Sequence, residues 1–535
     1  MNGGEIFLSS STTVVLGSIT SGPIGTNTLT FAANAELSSI TNNVTLANAI
    51  SLGAFNLDND DATTDLALTG LITGVGGSIT WCTNNVLELD NSNTFSGGID
   101  MREGTLLLGS NTAAGTGTII LDTATSIDAS GSGFTRTIPN SINVTGGSAK
   151  LGTGNNNQLT FSGDITGGTG IAVEIDNGTL GSTALTGTNS FTTSSFTVDN
   201  GIVYAGNISA FGGAGNTVVL DDGSKLDAQG SGVALTLPNQ ITISGSTAQF
   251  GTGNNNQLIF SGLITGTGPS VVTIDNGPSG SVTLSGGSTL SGTGTSFNVN
   301  NGGTVFAANS TAFGAVTNQV IIQGGSTLNV LGGVTIQNPI TVGSGANTLA
   351  GSGTIANGGS ALPITNYVIL SPSLSPGGGP GDLTFTNPLI FTGGAFHFQL
   401  YNATGTAGSD WGEITATGGM NFSGAAANSI TFNVVSVNNT GGSAATLNFN
   451  PATSYSWTFA TSPTAITGFN SADFNIITSG FSNSTGGGGF SVSEVGNSLE
   501  LNFTPVPEPS TWALLGGGVL VLVPMALRRR RLRKA

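Results

Sequence analysis

The chain has 535 residues, among them 86 Gly, 17 Pro, 10 basic and 27 acidic residues, one His and one Cys. A hydrophobic content of 37% excludes wholesale disorder, the missing Gly-X-Y period excludes collagen, and 7% charge lies far below the roughly 25% of an ordinary soluble protein. His397 and Cys82 cannot between them build a Cys/His zinc site, a disulfide framework or a haem ligand pair, so neither metal nor cofactor is expected.

Six of the ten basic residues (Arg528, Arg529, Arg530, Arg531, Arg533 and Lys534) fall in the last eight positions. Only Arg102, Arg136, Lys150 and Lys225 precede them, so the body carries 4 − 27 = −23 charges. That sign repels phosphate backbones, and nucleic acid is not an expected partner. At the other end, residues 1–10 contain neither the basic stretch nor the apolar run of a secretory signal, so the reading frame is expected to extend upstream.

Internal repeats organise the first two thirds of the chain. Residues 152–159 read GTGNNNQL and so do residues 251–258, a displacement of 251 − 152 = 99. About the same step links Ile138–Ile142 to Leu237–Ile241 and then to Ile336–Ile340, and a weaker echo at Ile40–Val44 precedes them. Three copies of roughly 99 residues and a partial N-terminal one therefore fill residues 1–359. Within a copy, Phe196-Thr197-Val198, Val218-Val219-Leu220 and Ile241-Thr242-Ile243 are short, β-branched, period-two runs bounded by Gly, Asn, Asp or Ser. Short strands with tight turns over hundreds of residues predict a β-solenoid of about 20 to 25 residues per coil, hence four or five coils per copy. A pair of β-sandwiches is the rival architecture.

Composition changes near residue 360: 16 aromatic residues precede it, and 18 lie between 360 and 505. A Pro/Gly/Ser cluster at 371–381 opens this region, and the alternating runs 396–400, 430–434 and 499–503 come after it. Residues 360–505 are expected to form an aromatic-rich β cap that covers the last coil.

Residues 93–109, NTFSGGIDMREGTLLLG, resemble the autotransporter-associated β-strand repeat, and Ser195 to Gly206 and Ser296 to Asn309 are degenerate versions. The resemblance implies a right-handed parallel β-helix of the kind exported as surface passengers. No C-terminal run of alternating strands is present to build an outer-membrane barrel.

Residues 506–535 hold a second resemblance. Val506, Pro507, Glu508 and Pro509, an apolar stretch from Trp512 to Leu527 and the six-residue basic stop are similar to a PEP-CTERM sorting tail. The prolines favour an extended Glu508 that a protease can bind as a strand. Trp512 suits a membrane interface, and the basic cluster keeps the C-terminus cytoplasmic. A span of 527 − 512 + 1 = 16 residues with Gly516 to Gly518 and Pro524 makes a single, short and transient transmembrane helix. The resemblance implies an exosortase, a membrane-embedded cysteine transpeptidase-like enzyme, as processing partner. It also implies passage through the inner membrane to the surface or exopolysaccharide matrix of a Gram-negative bacterium.

Carboxylate clusters are the remaining candidates for chemistry, because parallel β-helices include polysaccharide hydrolases. Asp58, Asp60, Asp61 and Asp65 form one cluster; Asp221, Asp222 and Asp227, with Lys225 nearby, form another. Neither has an EF-hand pattern, and turn formation accounts for both. His397 is expected on a surface or edge strand, and Cys82, beside Trp81, as a buried thiol without a partner. The expected catalytic set is therefore empty, and the expected function is a structural or adhesive surface protein that contacts matrix. The alternative is a β-helix hydrolase of that matrix, which two carboxylates converging in a concave groove with aromatic walls would favour.

Overall fold

The computed structural model describes residues 28–506 except 32–34, 39–42, 55, 60–64 and 374–377, together with two short strands, Ile6–Leu8 and Thr13–Val15. Apart from two short 3-10 turns, the regular structure there is all strand. The chain divides into two units, Met1–Leu362 and Pro363–Ala535.

In the first unit the strands pair in parallel, one coil on the next. Ala149 pairs with Val173, Val173 with Phe196, Phe196 with Val218 and Val218 with Ile241, steps of 24, 23, 22 and 23 residues by subtraction. Sandwiches are excluded by this register, since their neighbouring strands run antiparallel. The period-two pattern turns Val173, Ile175, Phe196, Val198, Val218, Leu220, Ile241 and Ile243 inward, each at most 2% exposed. Burial of each such side chain contributes about 1.5 to 3 kcal/mol. Edge-on stacks of Phe191, Phe196 and Phe211, with centroids 5.2 and 5.5 Å apart, extend the core between coils. Phe297 and Phe313 repeat the second contact one copy later, at 5.2 Å.

The coils have three faces, visited in rotation. Ile142–Val144, Ser148–Leu151 and Gln158–Phe161 lie in nine-, eleven- and ten-stranded sheets, and Ile165–Thr169 returns to the first. Successive sequence copies do not return to the same face: Ile142–Val144, Gln240–Ile243 and Ile340–Val342 occupy the nine-, eleven- and ten-stranded sheets in turn. On the eleven-stranded sheet, four turns carry Thr125–Ala129 to Thr217–Leu220, and the copy of Thr125–Ala129, namely Ser224–Ala228, is the next strand on the next face. A copy is thus four turns and one face, between the four and five coils expected. Equivalent residues of successive copies are displaced by one third of a turn around the stack.

Corners need residues that tolerate positive φ. In the two GTGNNNQL corners this falls on Asn156 and Asn255, both at φ 59°, and asparagine is the side chain that enters that region at least strain.

The second unit has longer strands. Gly394–Leu400 and Ile430–Ser436 pair in parallel over seven residues, and Phe474–Gly480 lies on the far side of Ile430–Ser436. Asp382–Phe385, Glu413–Ala416 and Tyr455–Thr461 form a second parallel series. The series ends in an antiparallel closure, in which Ser498–Thr504 lies between Tyr455–Thr461 and Gly489–Val495. Aromatic side chains fill the interior, with Phe391 and Phe422 stacked at 4.3 Å and Phe432 and Phe459 edge-on at 4.7 Å.

Among the described residues no helix is long and apolar enough to cross a membrane. Trp512 to Leu527, where a transmembrane helix is expected, lies outside the described residues together with Pro507, Glu508, Pro509 and the basic cluster Arg528 to Lys534.

Candidate functional site

Parallel stacking brings residues one turn apart in sequence into contact on the outer face of the eleven-stranded sheet. Ser126, Lys150, Glu174 and Thr197 are consecutive register partners there. Lys150 Nζ lies 2.7 Å from Glu174 Oε1 and 3.0 Å from Asp176 Oδ2. Carboxylate oxygens of Glu174, Asp176 and Asp199 come within 4.8 Å of one another. A groove of about 520 Å³ runs over this face, lined among others by Lys150, Glu174, Thr197, Asp199 and Asp221.

Burial, then the neighbouring Asp176, Glu174 and Asp221 charges, push the Asp199 carboxyl above its ordinary value, while Lys150 pulls it down. Burial opposes the Lys150 charge, but hydrogen bonds to Glu174 and Asp176 hold its pKa above the usual lysine value. Three carboxylates so close suit a cation, and the Lys150 ammonium is one supplied by the chain itself.

The acidic candidates of the sequence do not act together. Asp221 lines the groove and accepts from Ser244 Oγ. Asp222 sits in an exposed turn, where hydrogen bonds from Ser246 Oγ at 2.7 Å and Thr247 N at 2.9 Å lower its pKa. Asp227 is fully buried and accepts from Thr252 Oγ1, Asn256 Nδ2 and the Ala228 N–H at 2.6 to 2.8 Å. Lys225 belongs to the neighbouring ten-stranded sheet, away from the groove. Of the first cluster, Asp65 accepts from Val86 N at 2.9 Å, a turn-stabilising bond, and the side chains of Asp58, Asp60 and Asp61 lie outside the described residues.

Two expectations need correction. His397 is not on an edge: its strand pairs with Val368–Pro372 on one side and Ile430–Ser436 on the other, and burial lowers its pKa. Cys82 is half-buried and has a neighbour, Arg102 Nη1, 3.6 Å from Sγ. Sequence reasoning missed the set formed by Lys150, Glu174, Asp176 and Asp199. Its signal was the spacing of 174 − 150 = 24 and 199 − 174 = 25 residues, close to one turn.

Val506, the last described residue, is 51% exposed. Residues 505–531 match the PEP-CTERM protein-sorting motif. The motif indicates exosortase-dependent sorting of an exported protein that is held in the cell envelope or outside it. No curated protein and no solved structure matches the chain.

Proposed function

We propose that the chain is a non-enzymatic structural or adhesive component of a Gram-negative cell surface or extracellular matrix, delivered there when an exosortase removes a briefly membrane-held tail. The observation that carries this reading is the sorting motif at residues 505–531, joined to a long parallel solenoid. Exopolysaccharide is the proposed partner of the exposed faces, rich in Thr, Ser and Asn, and the residue pattern at 93–109 belongs with the surface-passenger type of strand repeat. With four basic residues and one His ahead of the tail, few groups can hold or pass a proton near neutral pH.

One observation favours the alternative, a matrix polysaccharide hydrolase. Glu174 and Asp199 line one groove, and Asp176 lies within 4.8 Å of both. Against it stands the lining, which includes no aromatic wall on which a sugar ring could stack. Incubation of the protein with matrix polysaccharide separates the two readings. Retention of polymer without new reducing ends is the expected result; release of reducing ends that is lost in Glu174→Gln or Asp199→Asn would establish the hydrolase.

A further inference from the structure

The chain leaves the second unit from a strand held on both sides. Ser498–Thr504 is antiparallel to Tyr455–Thr461 and to Gly489–Val495, and the pairs Tyr455 with Phe503 and Gly489 with Thr504 place the starts of both flanking strands at the end where the tail departs. Aromatic rings gather at this end. Phe503 lies 4.9 Å from Phe449 and 5.1 Å from Phe490, and Phe449 lies 5.4 Å from Tyr455, centroid to centroid. Phe449, Tyr455 and Phe490 are only partly buried, and Val506 is 51% exposed. Two turns flank the exit: a Cβ on Gly486 would stand 3.2 Å from Pro451, and one on Gly487 would stand 3.3 Å from Val506.

Charge is sparse at the same place: the nearest carboxylates are Glu500, which accepts from Ser456 Oγ at 2.6 Å, and Asp410, whose carbonyl accepts from Asn402 N beside Asn448. Residues 438–457, 481–493 and 501–507 contain no Asp, Glu, Lys or Arg, in a chain of net charge −17. Glu500, four residues before Thr504, is the nearest acid along the exit strand.

The tether beyond this end is short. Thr504 to Glu508 is four residues and Thr504 to Trp512 is eight, at most about 14 and 28 Å of extended chain. With Trp512 at the membrane boundary, the polar zone of one leaflet, about 5 to 8 Å thick, takes up part of that length. The end of the second unit is then confined to the immediate surface of the bilayer. An acidic surface in that position would be repelled by anionic lipid, whereas uncharged chain with aromatic edges is what the headgroup region accepts.

Resting on the proposed membrane-held tail, we infer that this aromatic, charge-poor end is a lipid-docking surface that seats the second unit on the bilayer while the tail is still attached. Docking fixes Glu508 close to the headgroups, within reach of a membrane-embedded enzyme, and is lost once the tail is removed.

The test uses the full-length chain with Cys82→Ser, carrying one new cysteine at a time: Val506→Cys or Thr453→Cys at the exit, or Val495→Cys at the opposite end of the same strand pair. Each is labelled with an environment-sensitive dye and reconstituted into phosphatidylcholine vesicles that contain headgroup-spin-labelled lipid and no exosortase. Docking predicts that the chain floats with the vesicles, that dyes at 506 and 453 shift to the blue and are quenched, and that the dye at 495 is not. Floating chain with dyes at 506 and 453 as water-exposed and unquenched as at 495 overturns the docking and leaves the membrane-held tail standing. Chain that fails to float overturns both. Burial of the two exit positions only after an exosortase is added would make that enzyme, and not lipid, the occupant, and would also overturn the proposal.

Discussion

Asn157 shows how single side chains hold a corner. Its Nδ2 donates to Asp128 Oδ1 at 2.9 Å and to the carbonyls of Ala129 and Gly131, and its Oδ1 accepts from Phe134 N at 2.8 Å. Asn256 makes the same four bonds around Asp227. Asp128 and Asp227 are fully buried, so their carboxyl oxygens need such donors in place of water. In the third copy the aspartate is replaced by Asn329 and the GTGNNNQ run is gone as well: the carboxyl and its donors disappear together. Asn157→Ala should therefore destabilise the chain by about 2 kcal/mol, measured by urea unfolding, since it removes several buried hydrogen bonds and a donor to a buried carboxylate. Asp227 is also the clearest case of what sequence could not disclose. Three aspartates within seven positions looked like one cluster, yet one faces a groove, one an exposed turn and one the interior, because neighbours on a strand or turn point different ways.

At the scale of strands, stacking places like charges above one another. Asp382 and Glu413 are register partners on adjacent strands. Burial raises both carboxyls above their ordinary values, and Asp382 raises Glu413 further; bonds from Thr415 and Thr461 offset only part of this. A carboxyl whose pKa is higher folded than unfolded binds more protons in the folded state, so stability falls as pH rises from the ordinary carboxylate range through the raised values. Above those values the penalty is complete. The variant Asp382→Asn/Glu413→Gln should thus be more stable than wild type at pH 7, with the advantage shrinking as pH is lowered into the carboxylate range. Thermal unfolding of both proteins across pH 4 to 7.5 checks this, and His397 cancels in the difference. A constant gap would refute it. Strand existence was legible from period two at runs such as Val218 to Leu220, and the parallel winding from the long regular repeat. The pairing of Lys150 with Glu174 was not, because it depends on the number of residues per turn, and that number is set by corner geometry instead of strand pattern.

For the molecule as a whole, the offset between sequence copy and turn has a consequence. Because a copy ends one face further round, the two GTGNNNQL corners fall between different faces: the first joins Ser148–Leu151 to Gln158–Phe161 and the second joins Thr247–Phe250 to Gln257–Phe260. Local pairing is nevertheless the same in each copy, so excision of residues 142–240 joins Ser141 to Ile241 with equivalent neighbours above and below. In a solenoid each turn contacts only adjacent turns, and the shortened chain should retain β circular dichroism and a cooperative unfolding transition. A non-cooperative, expanded product would contradict this winding. The central claim, that the solenoid is an exported passenger sorted by its tail, meets its most direct test in the apparent mass and cell fraction of the full chain expressed in a host with an exosortase and in one without. The account predicts a shortened product outside the inner membrane only in the first host, and uncleaved, membrane-bound protein in the second and for the variant in which Pro507, Glu508 and Pro509 are all changed to Ala. Identical size and location in both hosts would contradict it.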